Sequence, residues 1–478
     1  MSGSLQKKAF WGMIWSFAEN FSLQGIQFVI GIIMARMLTP SDYGMIGMLT
    51  VFLAISDNLV NFGFFTALVR KSDRTEVDFS TVFYFNIFVG LFLYFVLFFS
   101  SPYIARFFEM PLLEDLTKIV AIPLFFNSIC QVQQAKFSIK MDFKSQAKVS
   151  VTSSLVGGIS GIMMAYYGLG VWSLAYSAVL SAIIRCLLLW ILARWYPLRS
   201  FSWKSFNELF SFGSKLLVSK LIDTIYNNIY PIVIGKKFAA ADLGFYSRAY
   251  GYSQLPAVTV TGVLARVTFP MLCEIQNDSE RLEQVYRKLL RLSAFVVFPV
   301  MIGLAVLAKP LIIFMITDKW APSIILLQIF CLALMWYPIH AINLNLLQVK
   351  GRSDLVLRLE IIKKIMGILV LILSIPLGII YMCVGQVITS LVSLLINTHY
   401  TGKLIRVGFF KQMSDMLPTL LYSFSMGGIV WGVSQFLPTN GLKIIVGILV
   451  GAIYYVAIAY YTRSSELYYM FSLIKNKK

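Results

Sequence analysis

Fourteen stretches of this chain are long and apolar enough to cross a lipid bilayer, and they constrain its fold more than any other feature. A transmembrane helix needs about 20 mostly apolar residues, because lipid offers no partners to an unpaired backbone. The stretches cover residues 10–34, 44–68, 79–101, 116–135, 149–168, 171–193, 209–235, 243–269, 290–316, 321–347, 359–376, 379–400, 414–436 and 441–462. Short connections leave no room for a separate soluble domain. The sequence therefore predicts an all-α polytopic membrane protein with about 14 transmembrane helices.

The distribution of charge predicts how the chain is oriented in the membrane. Hydrophobic residues make up 58% of the chain and charged residues 13%, whereas about a quarter are charged in soluble domains. The net charge of +19 is concentrated at both termini and in every second connection. By the positive-inside rule, both termini of this multi-pass protein are predicted to be cytoplasmic. The basic excess thus reflects topology and contact with anionic membrane lipid, and we do not expect nucleic acid as a partner.

Two segments 200 residues apart indicate an internal duplication. Residues 35–44 and 235–244 each place a base, a turn and an Asp-x-Gly motif before the next span. Each repeated block holds six spans and returns the chain to the side where it started, so the repeats run in parallel and predict two pseudo-symmetric six-helix bundles. The predicted divisions are an N-terminal bundle at 1–193, a cytoplasmic linker at 194–208, a C-terminal bundle at 209–403, and two additional transmembrane helices with a basic tail at 404–478.

Two local patterns carry further structural predictions. Within residues 277–290, apolar side chains recur on one helical face among charges, which is typical of a helix lying at the membrane surface. Ser205 and Glu208 fit a capping box that would begin the seventh span.

Charged side chains inside the spans are the strongest functional signal. A charge at the membrane centre costs about 2.5–3.5 kcal/mol, so it persists where it faces a cavity, a partner or a ligand. The cations are Arg185, Lys215, Lys220, Arg248 and Arg266. The acids are Glu19, Asp57 and Asp223. The cationic excess favours an anionic cargo. Two alternatives stay open: side chains that extend to the membrane surface, and a Lys220–Asp223 pair that only locks two helices.

Amides and acids in the same spans are candidates for two other tasks. Amides offer paired donors and acceptors to sugar hydroxyls, but they also form hydrogen bonds between helices. The candidate sugar contacts are Asn20, Gln24, Gln27, Asn58, Asn61 and Asn227. The three acids could instead bind H⁺ or Na⁺ and couple transport to an ion gradient.

Motifs of catalysis are missing from the sequence. His340 and His399 lack a metal-spaced partner, and neither a Walker-type motif nor a Gly-rich dinucleotide fingerprint occurs. The five cysteines show no CxxC spacing. We therefore expect no catalytic residues, no metal site and no resident cofactor, with H⁺ or Na⁺ coupling as the exception.

Several segments resemble a known family. They are residues 35–44, residues 63–70 (GFFTALVR), and the stretch from 243–250 to 269–270. In these segments the chain resembles the polysaccharide transporter family. Its members are bacterial flippases for lipid-linked oligosaccharide repeat units, and the family belongs to the multidrug/oligosaccharidyl-lipid/polysaccharide exporter superfamily. The resemblance implies two bundles around a central cavity that opens alternately to each side. It also implies the inner (cytoplasmic) membrane as location, undecaprenyl-diphosphate-linked oligosaccharide as cargo, and polysaccharide polymerase or assembly proteins as candidate partners.

Two rival functions are weighed against a flippase for O-antigen, capsule or exopolysaccharide biosynthesis. A cation-coupled multidrug antiporter of the same superfamily would favour an interior dominated by acids, whereas here five cations face three acids. A membrane polymerase or ligase acting on lipid-linked glycan would need a large external loop for its catalytic groups. The longest external connection, around 102–115, is short. The sequence therefore predicts a flippase whose cavity cations contact diphosphate or acidic sugars.

Overall fold

The computed structural model of the chain describes residues 3–61 and 63–475. Within these ranges, the side chains at 3–14, 16–18, 212, 215, 216, 219, 263–267, 471 and 473–475 are not described. The regular structure of the described ranges is helical. The chain forms two compact units, a first unit that ends at Gly244 and a second unit that begins at Phe245.

The first unit contains ten complete helices and the start of an eleventh. These are α1 (Gly3–Met37), α2 (Pro40–Asn61), α3 (Phe64–Arg70), α4 (Glu76–Phe108), α5 (Leu112–Val120), α6 (Ile122–Ile139), α7 (Phe143–Tyr166), α8 (Val171–Ala193), α9 (Trp203–Asn227), α10 (Ile229–Lys237) and α11 (Ala240–Glu274). Helix α7 packs between α1 and α8, and α6 packs between α4 and α8. Helix α9 lies against α2, α3 and α4.

The second unit contains the rest of α11 and nine further α-helices. They are α12 (Ser279–Val306), α13 (Ala308–Ile316), α14 (Ser323–Leu334), α15 (Tyr337–Val349), α16 (Ser353–Ser374), α17 (Ile379–Ile405), α18 (Phe409–Gln435), α19 (Asn440–Tyr461) and α20 (Ser465–Lys475). Helix α17 packs against α14, α15 and α16, while α18 packs against α12 and α19. Short 3-10 turns lie at Asp318–Trp320 and Ile375–Leu377.

The predicted helical membrane class is confirmed. Every predicted span overlaps a helix or a pair of consecutive helices. Within residues 3–61 and 63–475, nine helices or helix pairs have the length and hydropathy to cross a membrane. The protein is therefore an integral membrane protein with an all-helical fold. The count of 14 spans, the six-helix bundles and their bounds stay predictions.

Several spans predicted as single helices are interrupted. The second span is divided into α2 and α3 beside Gly63, whose φ of 71° is left-handed and whose added Cβ would lie 2.9 Å from Gly213 Cα. The seventh is divided at Asn228, between α9 and α10. Pro123 and Pro338 lie in the first turns of α6 and α15, where proline starts a new helix easily. Local backbone chemistry, invisible to a hydropathy window, decides these breaks.

Two local predictions are wrong. Residues 279–290 are the beginning of the long α12, and their apolar face packs inside the second unit, where Leu282 and Tyr286 are fully buried. Protein therefore covers the face that was assigned to the membrane surface. The side chain that caps α9 belongs to Ser202 and accepts from Ser205 N at 3.3 Å. Ser205 thus lies in the first turn and does not cap the helix.

A segment after α8, residues 194–202, is bound to the beginning of α4, and we call it the linker strap. Leu198 N donates to Ser80 Oγ at 2.8 Å, and Ser202 N donates to Thr81 Oγ1 at 3.1 Å. Both hydroxyl-bearing residues are fully buried. The backbone of the predicted linker is therefore held on the first unit.

A charged anchor reinforces the linker strap. Trp195 Nε1 donates to Glu76 Oε2 at 2.6 Å, and Lys136 Nζ lies 2.8 Å from Glu76 Oε1. The same ammonium lies 4.8 Å from the centre of the Trp195 ring, within cation–π range. The Glu76 carboxylate therefore joins α4, α6 and the strap.

Lys71 links the start of α9 to the beginning of α4, where the linker strap is also bound. Its ammonium lies 3.0 Å from Glu208 and 3.2 Å from Asp78. Partial burial lowers the pKa of Lys71, but hydrogen bonds to Glu208 and Asp78 outweigh it and leave the pKa above its usual value. A raised lysine pKa means that this pairing stabilises the fold fully at neutral pH and is lost only as the pH rises through that pKa.

We expect Glu76→Gln to loosen the linker strap. The neutral amide removes the ion pair with Lys136 and weakens the hydrogen bond from Trp195. Trypsin cleavage after Arg194 and Arg199 should become several-fold faster, because local opening controls proteolysis. Glu114→Gln, which removes an exposed pair with Lys118 on α5, serves as control and should leave cleavage unchanged. Equal cleavage of both variants would show that Glu76 does not hold the strap.

Candidate functional site

A chain of side-chain hydrogen bonds connects α2, α6 and α4 inside the first unit. Asn61 Nδ2 donates to the backbone oxygen of Asp57 at 2.8 Å and to its Oδ2 at 3.2 Å. Asn61 Oδ1 accepts from Gln131 Nε2 at 2.7 Å, and Gln131 Oε1 accepts from Asn86 Nδ2 at 3.0 Å. Gln131 and Asn86 are buried. The Asp57 carboxylate thus stands at the end of a fixed row of amides.

Arg185 of α8 faces the same region. With the Gln134 amide turned so that its oxygen meets the guanidinium, Gln134 Oε1 accepts from Arg185 Nε at 3.1 Å and from Nη2. Asp57 interacts electrostatically with Arg185 and forms a side-chain hydrogen bond with Asn127. We call Asp57, Asn61, Asn127, Gln131, Gln134 and Arg185 the Asp57–Arg185 cluster. It places a cation and a carboxylate among amides contributed by α2, α6 and α8.

Helix α9 is tied to α2 beside this cluster. Asn58 Nδ2 donates to Thr224 Oγ1 at 2.7 Å and to Ala54 O at 3.0 Å. Lys220, one turn before Thr224, also interacts electrostatically with Asp57. The structure therefore brings four predicted positions together with the cation Arg185: Asp57, Asn58, Asn61 and Lys220.

For the other predicted residues of α9, the structure gives only the position on the helix. Lys220, Asp223 and Asn227 occupy exposed positions on the uninterrupted helix, which agrees with their predicted spacing along one face. The side chain of Lys215 is outside the described residues. A direct role for these residues stays a prediction.

The predicted polar residues of α1 lie apart from the cluster. Glu19 Oε1 accepts from Ser150 Oγ of α7 at 2.8 Å. Asn20, Gln24 and Gln27 occupy exposed positions on α1. Glu19 thus joins α1 to α7, and sugar contact by the three amides stays a prediction.

The cations of α11 belong to one continuous helix, as their spacing predicts. Arg248 is half-buried in the second unit, where its side chain interacts with Tyr252 one turn further on. The side chain of Arg266 is outside the described residues. Their role as cargo contacts stays a prediction.

The sequence-based selection missed three amides of the cluster. Asn127, Gln131 and Gln134 are spaced four and three residues apart, so they lie along one face of α6. Their polar stripe in an otherwise apolar span was the available signal. Asn86 had no such signal, because it is a single polar residue among apolar ones, and Thr224 lies in a polar stretch whose partner on α2 was unknown.

The chemistry of the cluster is that of binding. Its members offer cationic donors, a carboxylate and amide groups, which suit an anionic and hydroxyl-rich molecule. Across the described part of the chain, no three His, Cys, Asp or Glu side chains form a group that could hold a metal ion. The relatives and structural neighbours of the chain are transporters and flippases, so the protein is a membrane transporter rather than an enzyme. The chain belongs to the polysaccharide biosynthesis protein family, whose match covers residues 33–325.

Relatives extend this similarity over nearly the whole chain. The chain is 26% identical to the teichuronic acid biosynthesis protein TuaB of Bacillus subtilis, over 95% of both chains. It is 22% identical to the lipopolysaccharide biosynthesis protein WzxC of Escherichia coli, over 90% of this chain and 89% of that protein. It is also 21% identical to the probable low-salt glycan biosynthesis flippase Agl15 of Haloferax volcanii, over 72% of this chain and 73% of that protein.

Solved structures show the same fold. The lipid II flippase MurJ in an inward closed conformation matches with a TM-score of 0.76 at 15% identity, over 94% of this chain and 99% of that chain. An inward-facing multidrug resistance transporter of the MATE family matches with a TM-score of 0.60 at 16% identity, over 80% of this chain and 96% of that one. The chain therefore has the helical fold shared by these two transporters.

Proposed function

We propose that this protein is a flippase that moves undecaprenyl-diphosphate-linked oligosaccharide repeat units from the cytoplasmic to the outer leaflet of the bacterial inner membrane. The Asp57–Arg185 cluster carries this proposal, because Arg185 offers a fixed cation to a diphosphate beside amides that suit sugar hydroxyls. Relatives named for teichuronic acid and lipopolysaccharide biosynthesis support an oligosaccharide cargo.

The transport cycle in this proposal is alternating access by two six-helix bundles within a chain of 14 spans, with both termini cytoplasmic. The head group crosses through the protein interior, while the polyprenyl tail stays in lipid. Further cationic contacts come from Lys215, Lys220, Arg248 and Arg266. Sugar contacts come from Asn20, Gln24, Gln27, Asn58, Asn61 and Asn227. Coupling to H⁺ or Na⁺, where it occurs, involves Glu19, Asp57 or Asp223.

The proposal is tested by flipping of a fluorescent polyprenyl-diphosphate oligosaccharide in proteoliposomes. The wild-type protein should move the lipid across the bilayer, and an empty vesicle should not. No transport by folded protein with several glycans would overturn the flippase, and export of cationic drugs by the same vesicles would then identify a multidrug antiporter.

Two substitutions test the cationic contacts in the same vesicles. Lys220→Ala and Arg248→Ala should each lower the flipping rate by about tenfold, because a charge-assisted contact contributes about 1.5–3 kcal/mol. Lys237→Ala and Arg106→Ala remove exposed cations elsewhere and should keep the wild-type rate. Unchanged transport by the first pair would discard these two residues while keeping the function.

A further inference from the structure

We propose that three amides of α6, Asn127, Gln131 and Gln134, are positioning residues that hold Arg185, next to Asp57, ready for the diphosphate of the cargo. The proposal rests on the flippase function, and it gives a task to polar side chains that a membrane helix would otherwise avoid. Each amide lies on the same face of α6 and contacts a different part of the cluster.

Each of the three amides has a different partner in the cluster. Asn127 forms its hydrogen bond with the Asp57 carboxylate. Gln131 bridges Asn61 and Asn86 at 2.7 and 3.0 Å, which fixes the helix turn that carries Asp57. Gln134 accepts from Arg185 through Nε and Nη2. One face of α6 thus orients both charges.

Neutral partners suit this task better than charged ones. A guanidinium has five N–H donors in a rigid fork, and Gln134 occupies only the Nε edge. The remaining donors can meet a diphosphate bidentately. A carboxylate in place of Gln134 would hold the same edge but cancel the charge that attracts the cargo. Without any acceptor, Arg185 would turn fully toward Asp57, and the cargo would have to displace it.

Gln134→Leu tests the proposal in the vesicle assay. The apparent KM for the polyprenyl-diphosphate oligosaccharide should rise about tenfold with little change in maximal rate, because a hydrogen bond to a charged group is lost. Gln134→Glu should raise KM at least as much, since its charge opposes that of Arg185. Gln134→Asn, a shorter amide, should restore part of the affinity.

A double-mutant cycle separates positioning from simple structural support. If Gln134 acts through Arg185, Gln134→Leu should have no further effect on KM in an Arg185→Gln background. Gln146→Leu on α7, which removes a hydrogen bond to Ser138 of α6, is the control and should keep the wild-type KM. Wild-type KM in Gln134→Leu, or equal effects in both backgrounds, would overturn the positioning role. Loss of transport by the wild type would instead reject the underlying function.

A second, independent observation concerns the two repeated turns. We infer that they form a clasp that closes the extracytoplasmic end of the transport path and separates when that end opens. An added Cβ on Gly44 would lie 3.1 Å from Ala240 Cα and overlap the Ala240 carbonyl. An added Cβ on Gly244 would lie 3.1 Å from Pro40 Cα and overlap the Pro40 carbonyl. We call these four residues the glycine clasp.

The contact is reciprocal and follows the sequence repeat. Residue 40 of the first copy meets residue 244 of the second, and residue 44 meets residue 240. Residues 40 and 240 are equivalent positions of the repeat, as are residues 44 and 244, so the two contacts mirror each other. The turns are also built alike: Thr39 N donates to Asp42 Oδ2 at 2.8 Å, and Ala239 N donates to Asp242 Oδ2 at 3.2 Å. Two copies of one turn therefore pack face to face.

A clasp of this kind is suited to repeated opening. The contact between its four residues depends on backbone approach that glycine permits at Gly44 and Gly244. An ion pair nearby, Lys236 Nζ to Glu109 Oε1 at 2.6 Å, joins α10 to the end of α4. Hydrogen bonding to Lys236 holds the pKa of Glu109 below its usual value, so the pair persists at neutral pH. The positive-inside distribution assigns this end to the outer face.

A reversible cross-link beside the clasp tests the inference. Lys236→Cys with Glu109→Cys, joined by a short bifunctional thiosulfonate, should lower transport by about tenfold or more, because the opened state is no longer populated. Dithiothreitol should restore the rate. Lys118→Cys with Glu114→Cys, a pair within the single helix α5, is the matched control and should transport normally when linked. Full activity of the linked first pair would overturn the clasp.

Substitution of the clasp glycine gives a second measurement. Gly44→Ala should hold the turns apart and increase labelling of Tyr43→Cys by a membrane-impermeant maleimide added outside, several-fold above Tyr43→Cys alone. Gly251→Ala in the Tyr43→Cys background is the control, since a Cβ there meets nothing within 4 Å. Equal labelling of all three proteins would contradict a closing role for Gly44.

Discussion

Arg185→Gln is expected to lower the rate of oligosaccharide flipping by about 30- to 100-fold at subsaturating cargo. The guanidinium is the cation of the Asp57–Arg185 cluster, and a bidentate contact with a diphosphate contributes about 2–3 kcal/mol, at 1.4 kcal/mol per tenfold. The substitution also leaves Asp57 with Lys220 but without Arg185 as a neighbouring cation, so its carboxylate would repel the cargo more strongly. Both effects act in the same direction.

Arg185→Lys refines the interpretation of this result. Lysine keeps the charge but loses the planar fork, so it should recover part of the rate and leave a higher apparent KM. Flipping in proteoliposomes measures each variant against Arg106→Gln, which removes an exposed arginine at the end of α4. Wild-type kinetics for Arg185→Gln, with the protein correctly inserted, would exclude Arg185 as a cargo contact.

The second large effect is on stability. Gln412→Leu is expected to destabilise the protein by about 3 kcal/mol, because it removes several hydrogen bonds among fully buried groups. Gln412 Nε2 lies within hydrogen-bonding distance of three acceptors that share its two hydrogens: Thr401 Oγ1 and Val407 O, both at 3.0 Å, and Tyr286 OH at 3.1 Å. Gln412 Oε1 accepts from Asn343 Nδ2 at 3.1 Å. These residues join α12, α15, α17 and α18 within the second unit.

Thermal unfolding in detergent measures this effect. For a unit of this size the midpoint should fall by about 6–12 °C. Gln435→Leu makes the same change at an exposed position near the end of the same helix, α18, and should shift the midpoint little. Similar midpoints for both variants would show that the buried network contributes no more than a surface amide.

The polar face of α6 shows where inference from sequence reaches its limit. The spacing of Asn127, Gln131 and Gln134 is visible in the sequence and places them on one side of a helix. Their partners are not visible, because Asp57 lies on α2 and Arg185 on α8. Which helices meet depends on packing among many apolar faces of similar composition. Asn58 and Asn61 were selected from the sequence, but the other helix in each of their contacts was unknown for the same reason.

For the repeated turns, the similarity was visible in the sequence and the contact only in the structure. The match between residues 35–44 and 235–244 was evident from the sequence, and so was the presence of glycine at related positions. The contact between the two turns was not evident from the sequence, because a repeat specifies two similar structures without specifying the distance between them. The structure supplies that separation, and with it a physical reason for both glycines.

The sequence by itself determined that this protein lies in a membrane and is built from helices. Lipid provides no hydrogen-bond partners, so long apolar stretches must satisfy their backbone internally, and hydropathy is therefore sufficient evidence. It also located the charges that such an environment excludes unless they have a task. Tertiary structure alone decided that Arg185 meets Gln134, that Glu19 meets Ser150, and that the apolar face of residues 279–290 is buried. Those outcomes depend on which helix faces pack together, a choice that arises from the shapes of all the helices at once and is encoded in no single segment.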